Sequence, residues 1–172
     1  KIEAEFDITR DVKPVKNLVE FQVFRWSDGT YLEDQDFWRL SGVGRDCYLY
    51  ARETKRIEDI RITPDLDADY RNATLTVDLK LKGKVQVDLE LFDKNQKSVA
   101  SKSVNASGNQ KVFFNVENPA KYTAESPVLY TLLATVKDKG KVLEVIPQKV
   151  GFRKVEIKNA QLLVNGQPVL FK

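Results

Sequence analysis

Apolar and polar residues alternate with a period of two through most of this chain, most clearly in LTVDLKL at 75–81. Leu75, Val77, Leu79 and Leu81 face one way, while Thr76, Asp78 and Lys80 face the other. VQVDLEL at 85–91 repeats the pattern with Val85, Val87, Leu89 and Leu91. One apolar face at this period marks a half-buried antiparallel strand. Gly83 between the two runs predicts a tight turn joining two strands. Val112, Phe114 and Val116 alternate in a further strand, and Tyr130, Leu132, Ala134 and Val136 in the next. Asp93–Gln96 and Asp138–Lys141 supply turn chemistry between strands, and Asn165–Gly166 between apolar runs is a hairpin signal. No stretch holds a 3.6-residue apolar period over three turns. The pattern predicts an all-β protein.

Near the N-terminus the alternation is shorter. Strands are expected over Asn17–Trp26 and Asp46–Glu53, and in VEFQVF the residues Val19, Phe21 and Val23 form one apolar face. Between them lies RWSDGTYLEDQDFWRLSG at 25–42, with both tryptophans, Trp26 and Trp38. It packs four carboxylates, Asp28, Glu33, Asp34 and Asp36, into nine residues. Such a segment reads as a long ordered loop, neither a regular strand nor an amphipathic helix. Its aromatics, Trp26, Tyr31, Phe37 and Trp38, read as anchors holding the loop in place, with a sugar-stacking platform as the alternative.

Composition narrows the chemistry. Apolar residues make up 42% and charged residues 31% of 172, ordinary values for a globular protein. No run approaches the ~20 apolar residues of a membrane span, and the first residues lack the apolar region of a signal peptide. The net charge of +3 is spread along alternating strands, so no nucleic-acid and no membrane partner is expected. Cys47 is the single cysteine, which excludes an intrachain disulfide, and amid Tyr48 and Leu49 it is expected to be buried. The chain contains no histidine, so the commonest general base and most transition-metal sites are absent. Any chemistry would fall to carboxylates.

Residues 55–153 have the length and strand spacing of an immunoglobulin-like sandwich, with Tyr130 where such folds place a tyrosine corner. Leu132 stands where a true immunoglobulin domain has cysteine, so that core must hold by packing alone. The blocks Arg25–Gly29, Tyr31–Asp36, Trp38–Arg39, Ser41–Gly42 and Arg45–Asp46 resemble a signature of the β-galactosidases in glycoside hydrolase family 2. NPAKYTAESPVLY at 118–130, VGFRKVEI at 150–157 and LLVNGQPVLFK at 162–172 resemble later segments of the same family, with Tyr122 where tryptophan is common.

The resemblance implies three parts. Residues 1–54 would be the C-terminal portion of a jelly-roll sugar-binding domain, incomplete because a jelly roll needs about eight strands. Residues 55–153 would be the immunoglobulin-like sandwich, and 154–172 the entry hairpin of a catalytic barrel. The expected fold class is therefore an all-β immunoglobulin-like antiparallel sandwich preceded by an incomplete jelly roll. Retaining glycosidases use two carboxylates about 5–5.5 Å apart. The family keeps both on the barrel, so no catalytic residue is assigned here, and Glu33 with Asp36 is a weak substitute with nothing to bury the acid.

The resemblance gives Asp36 a substrate-binding role in the intact enzyme, where it would contact the sugar and serve as a candidate sodium ligand. A carboxylate suits both tasks. The plainer alternative is a turn cap, or a pair with Arg39 or Arg45. No cofactor is expected for this region itself; sodium and magnesium are implied for the intact enzyme. The implied partners are a β-galactoside and the rest of the parent polypeptide, with self-association through the truncated N-terminal strands. A free-standing carbohydrate-binding or interaction module is the competing reading.

Overall fold

The computed structural model describes residues 4–32 and 42–169, and the chain divides into two compact units, 1–50 and 51–172. Among the described residues, the larger unit carries eight strands: β1 (Arg56–Leu66), β2 (Ala73–Phe92), β3 (Ser98–Val116), β4 (Tyr130–Asp138), β5 (Lys141–Val150), β6 (Val155–Lys158), β7 (Gln161–Val164) and β8 (Gln167–Pro168). All pairings between these strands are antiparallel. The first five strands form one sheet in the order β1-β2-β4-β5 with β3 on β2, and β6-β7-β8 form a second.

The two alternating runs at 75–81 and 85–91 are not a hairpin. They are the two halves of β2, a single 20-residue strand bent at Gly83. Leu81 pairs with Gly108 and Val85 with Ala106, so Lys82, Gly83 and Lys84 oppose Ser107 alone. Gly83 takes φ +80°, a left-handed value that glycine adopts without a Cβ clash. The surplus residues form a bulge, and bulges bend and twist a strand. A hairpin at Gly83 would have paired the two runs with each other, but both pair with β3.

The bend makes the sandwich. β3 runs along one edge of β2 throughout, so β1 (against 73–82) and β4 (against 86–92) share the other edge. The curled sheet brings both halves onto one core: Leu75, Val77, Leu79 and Leu81 join Val87, Leu89, Leu91, Val112, Phe114, Leu132, Ala134 and Val136 in one buried cluster. The alternating positions read from the sequence are the buried ones, which confirms the strand faces. Burial here stabilises by about 1.5–3 kcal/mol for each fully enclosed aliphatic side chain.

Tyr130 closes one end of the core. Its hydroxyl accepts a hydrogen bond from the Ala120 amide at 2.9 Å, and its ring meets Phe152 edge-on at 5.0 Å between centroids. This is the tyrosine-corner arrangement expected from its place in the chain. Turn chemistry also falls where it was read. The Asp93 carboxylate accepts from the amides of Asn95 and Lys97, and Lys139–Gly140 join β4 to β5 with φ of 49° and 83°. Asn165–Gly166 join β7 to β8 with φ of 50° and 77°. Two consecutive left-handed residues match the right-handed twist of flanking strands.

In the smaller unit the described residues hold one short helix, α1 (Asp28–Leu32), and no strand. The strands expected over Asn17–Trp26 and Asp46–Glu53 are not formed. Val19, Phe21 and Val23 remain 59%, 65% and 51% exposed. An alternating segment becomes a strand only when a neighbour takes up its backbone groups and its apolar face, and none among the described residues does so. Side chains instead satisfy the local backbone: Asn17 receives the Lys13 amide and donates to the carbonyls of Lys13 and Val15.

Candidate functional site

The segment with the densest functional chemistry starts at Arg25, whose guanidinium lies 5.2 Å from the Trp26 ring centroid. Ser27 then caps α1. Its carbonyl accepts the Thr30 amide at 2.9 Å, and its own amide donates to the Thr30 hydroxyl at 3.1 Å, so the threonine in the third helical position reaches back to the Ser27 amide as in one half of a capping box. Asp28 opens the first turn, where a carboxylate is favoured by the exposed amides. The expectation of an irregular loop is thus corrected at its start, because Ser-Asp-Gly-Thr carries a helix-start signal.

Glu33, Asp34, Asp36, Phe37, Trp38 and Arg39 lie outside the described residues, so the substrate-binding and sodium-ligand role read for Asp36 rests on the sequence. Trp26 is 52% and Tyr31 77% exposed, so neither anchors the loop in an interior. Cys47 is exposed as well, against the expectation of a buried thiol, since the segment around it enters no sheet. Among the described residues no group of three His, Cys, Asp or Glu is placed to hold a metal ion. No helix among them is long and apolar enough to cross a membrane.

In the larger unit, a second constellation fixes the final hairpin to the sandwich. The Asn165 amide donates to the Lys154 carbonyl at 2.9 Å, and the Lys154 amide returns a bond to Asn165 Oδ1 at 2.9 Å. Asn165 Nδ2 reaches the Tyr122 carbonyl at 3.1 Å, and Lys154 Nζ reaches the Leu66 carbonyl at 3.0 Å. Tyr70, itself at φ 55°, donates its hydroxyl to Glu156, and that carboxylate pushes the phenol's pKa up. The Tyr70 ring lies so close over Gly166 that a Cβ there would sit 2.5 Å from ring carbon Cε2. Arg153 stacks on Tyr122 at 5.4 Å. Sequence reasoning found the Asn165–Gly166 turn but not its partners, because Tyr70 and Tyr122 sit in loops without periodicity.

A polar cluster occupies the outer face of β2, β3 and β4. The Asp88 carboxylate accepts bonds from Gln86 Nε2 at 2.9 Å, Lys137 Nζ at 2.6 Å and Ser103 Oγ at 2.6 Å. The Gln86, Lys137 and Ser103 donors hold its pKa down to about 2. Full ionisation and saturated hydrogen bonding make this a structural knot with no general acid in it. The Asp67 carboxylate, held below the usual range by the Asn72 and Arg71 amides, likewise closes the β1–β2 loop.

Residues 55–153 match the family model of Glycosyl hydrolases family 2, and residues 1–53 match that of its sugar binding domain. The chain is similar to a β-galactosidase of Alteromonas mediterranea, with 39% identity over all of this chain and 18% of the relative. It is 40% identical to a β-galactosidase of Staphylococcus xylosus over 96% of this chain and 16% of that protein. The chain thus spans less than a fifth of the length of these relatives. Among solved structures, a β-glucuronidase of Parabacteroides merdae superposes with a TM-score of 0.62. It shares 24% identity over 68% of this chain and 16% of its own, a likeness of fold.

Proposed function

The chain belongs to glycosyl hydrolase family 2, and from that premise we propose that it is a non-catalytic β-sandwich region of a β-galactosidase. The whole enzyme would hydrolyse terminal β-galactosides with retention. The observation that carries this reading is that relatives named β-galactosidase align with the chain over its full length. In this reading residues 1–54 are part of a sugar-binding jelly roll, 55–153 the immunoglobulin-like domain, and 154–172 the hairpin leading into the catalytic barrel.

The sandwich then acts as a buttress. The bonds among Lys154, Asn165, Tyr122 and Leu66 fix the hairpin's direction, so a following domain would start from a defined orientation. The segment 25–42 supplies the substrate loop. Asp36 accepts sugar hydroxyl bonds and offers oxygen to sodium in the whole enzyme; magnesium belongs to the same proposal as an ion of that enzyme. The retaining carboxylate pair is supplied by the barrel.

Two assays test the reading. The 172-residue chain should release no nitrophenol from nitrophenyl β-galactoside. Turnover that survives removal of host enzyme and disappears in Glu33→Gln would overturn the non-catalytic assignment. In the whole enzyme, Asp36→Asn should raise KM and lower kcat on the same substrate; unchanged kinetics would remove Asp36 from the site.

A further inference from the structure

The segment ARETKR at 51–56 carries three cations, and each is paired within the sandwich unit. Arg52 Nη2 donates to Glu144 Oε2 at 2.9 Å and to the Ile57 carbonyl at 2.6 Å. Glu144 Oε1 accepts the Ile57 amide at 2.8 Å, so one residue pair takes up both backbone groups of Ile57. Lys55 Nζ meets Asp138 Oδ2 at 2.8 Å. Its stem crosses the bend in β2, where a Cβ on Gly83 would lie 3.0 Å from Lys55 Cγ. Arg56 pairs locally with Glu58 on β1 at 3.1 Å.

Glu144 lies on β5 and Asp138 at the end of β4, 92 and 83 residues beyond their partners. The first two pairs therefore fasten the segment before β1 onto the β4–β5 hairpin. Their side chains keep 31% and 18% exposure for Arg52 and Glu144, and 42% and 30% for Lys55 and Asp138. Ion pairs this near the surface are screened by salt.

We propose that Arg52–Glu144 and Lys55–Asp138 form an electrostatic strap that holds residues 51–55 on the β4–β5 hairpin and releases them as salt rises. Ionic strength then sets how much free chain precedes β1. The strap rests on contacts within the sandwich unit and does not depend on the substrate of the whole protein.

Trypsin tests it directly, since Arg52 and Lys55 are themselves cleavage sites. Cleavage of the 172-residue chain within 52–56 is timed in NaCl at about 0.01 M and about 1 M, where the Debye length falls from about 30 Å to about 3 Å. A small peptide substrate corrects for the salt response of the protease. The wild-type segment should be cut about fivefold faster at high salt, the size expected for two surface pairs. Glu144→Gln with Asp138→Asn removes both charges and leaves one acceptor oxygen on each side chain, so it should be cut at the faster rate at both salts. Cleavage after Lys80 and Lys111, inside the sheet, should stay slow throughout. A wild-type rate indifferent to salt would overturn the strap, as would a double variant as slow as wild type at low salt. Parallel opening at Lys80 and Lys111 would also overturn it, because the whole sandwich would then be unfolding.

Discussion

Leu79 and Asp88 sit on opposite faces of the same strand and stabilise it by different physics. Leu79 is 2% exposed, and its truncation to alanine should cost about 2–5 kcal/mol, because the surrounding side chains only partly refill the space. A urea titration showing less than about half a kcal/mol would mean that the residue contributes little to the core. Asp88 works through charge. Its folded-state pKa of about 2 lies below the unfolded carboxylate value near 3.8, so its stabilisation is present above about pH 4. That contribution is lost as pH falls towards 2. The difference in stability between wild type and Asp88→Asn should therefore be largest near pH 7 and shrink towards zero near pH 2. A difference that stays constant with pH would show that the carboxylate's charge is irrelevant.

At the scale of elements, the final hairpin depends on a residue with no side chain. Gly166 takes φ 77° beneath the Tyr70 ring, and Cβ would approach that ring to 2.5 Å. Gly166→Ala should destabilise the hairpin by at least the roughly 1–2 kcal/mol of a left-handed non-glycine residue. Faster amide exchange confined to 154–169 is the expected readout, with the sheet amides at 75–81 unchanged. Equal protection in wild type and variant would mean that the hairpin is held without the Tyr70 contact. The β6–β7 connection at Asn159–Ala160 uses the same left-handed pair, φ 51° and 58°, but alanine hides the signal that glycine announces at Asn165–Gly166.

For the whole molecule, the two units differ in kind. The sandwich encloses a core, whereas the described residues of 1–50 leave Phe6, Leu18, Phe21, Phe24, Trp26 and Tyr48 exposed. Apolar surface of that extent favours association. Sedimentation of the full chain should show reversible self-association at micromolar concentrations, weakened by Phe21→Asp and indifferent to Val145→Asp on β5. A monomer at every concentration would refute the expectation. An association broken equally by both substitutions would place the contact elsewhere.

Strand faces and the turns at 93–96, 138–141 and 165–166 were legible in the sequence, because period-two alternation and left-handed turn residues are local properties of the chain. Leu75 to Leu91, Val112 to Val116 and Tyr130 to Val136 are buried on the faces their spacing announces. The segment at 25–46 and the runs towards 172 carried the family in the same local way. Tertiary structure decided what needs a partner. Gly83 is compatible with a hairpin or a bend, and only the long β3 lying beside both halves of β2 selects the bend. Val19, Phe21 and Val23 alternate as well, yet no strand forms among those residues, since pairing and burial come from a neighbouring sheet. The Tyr70–Glu156 and Arg52–Glu144 contacts join residues 86 and 92 positions apart, and no local pattern encodes a meeting at that range.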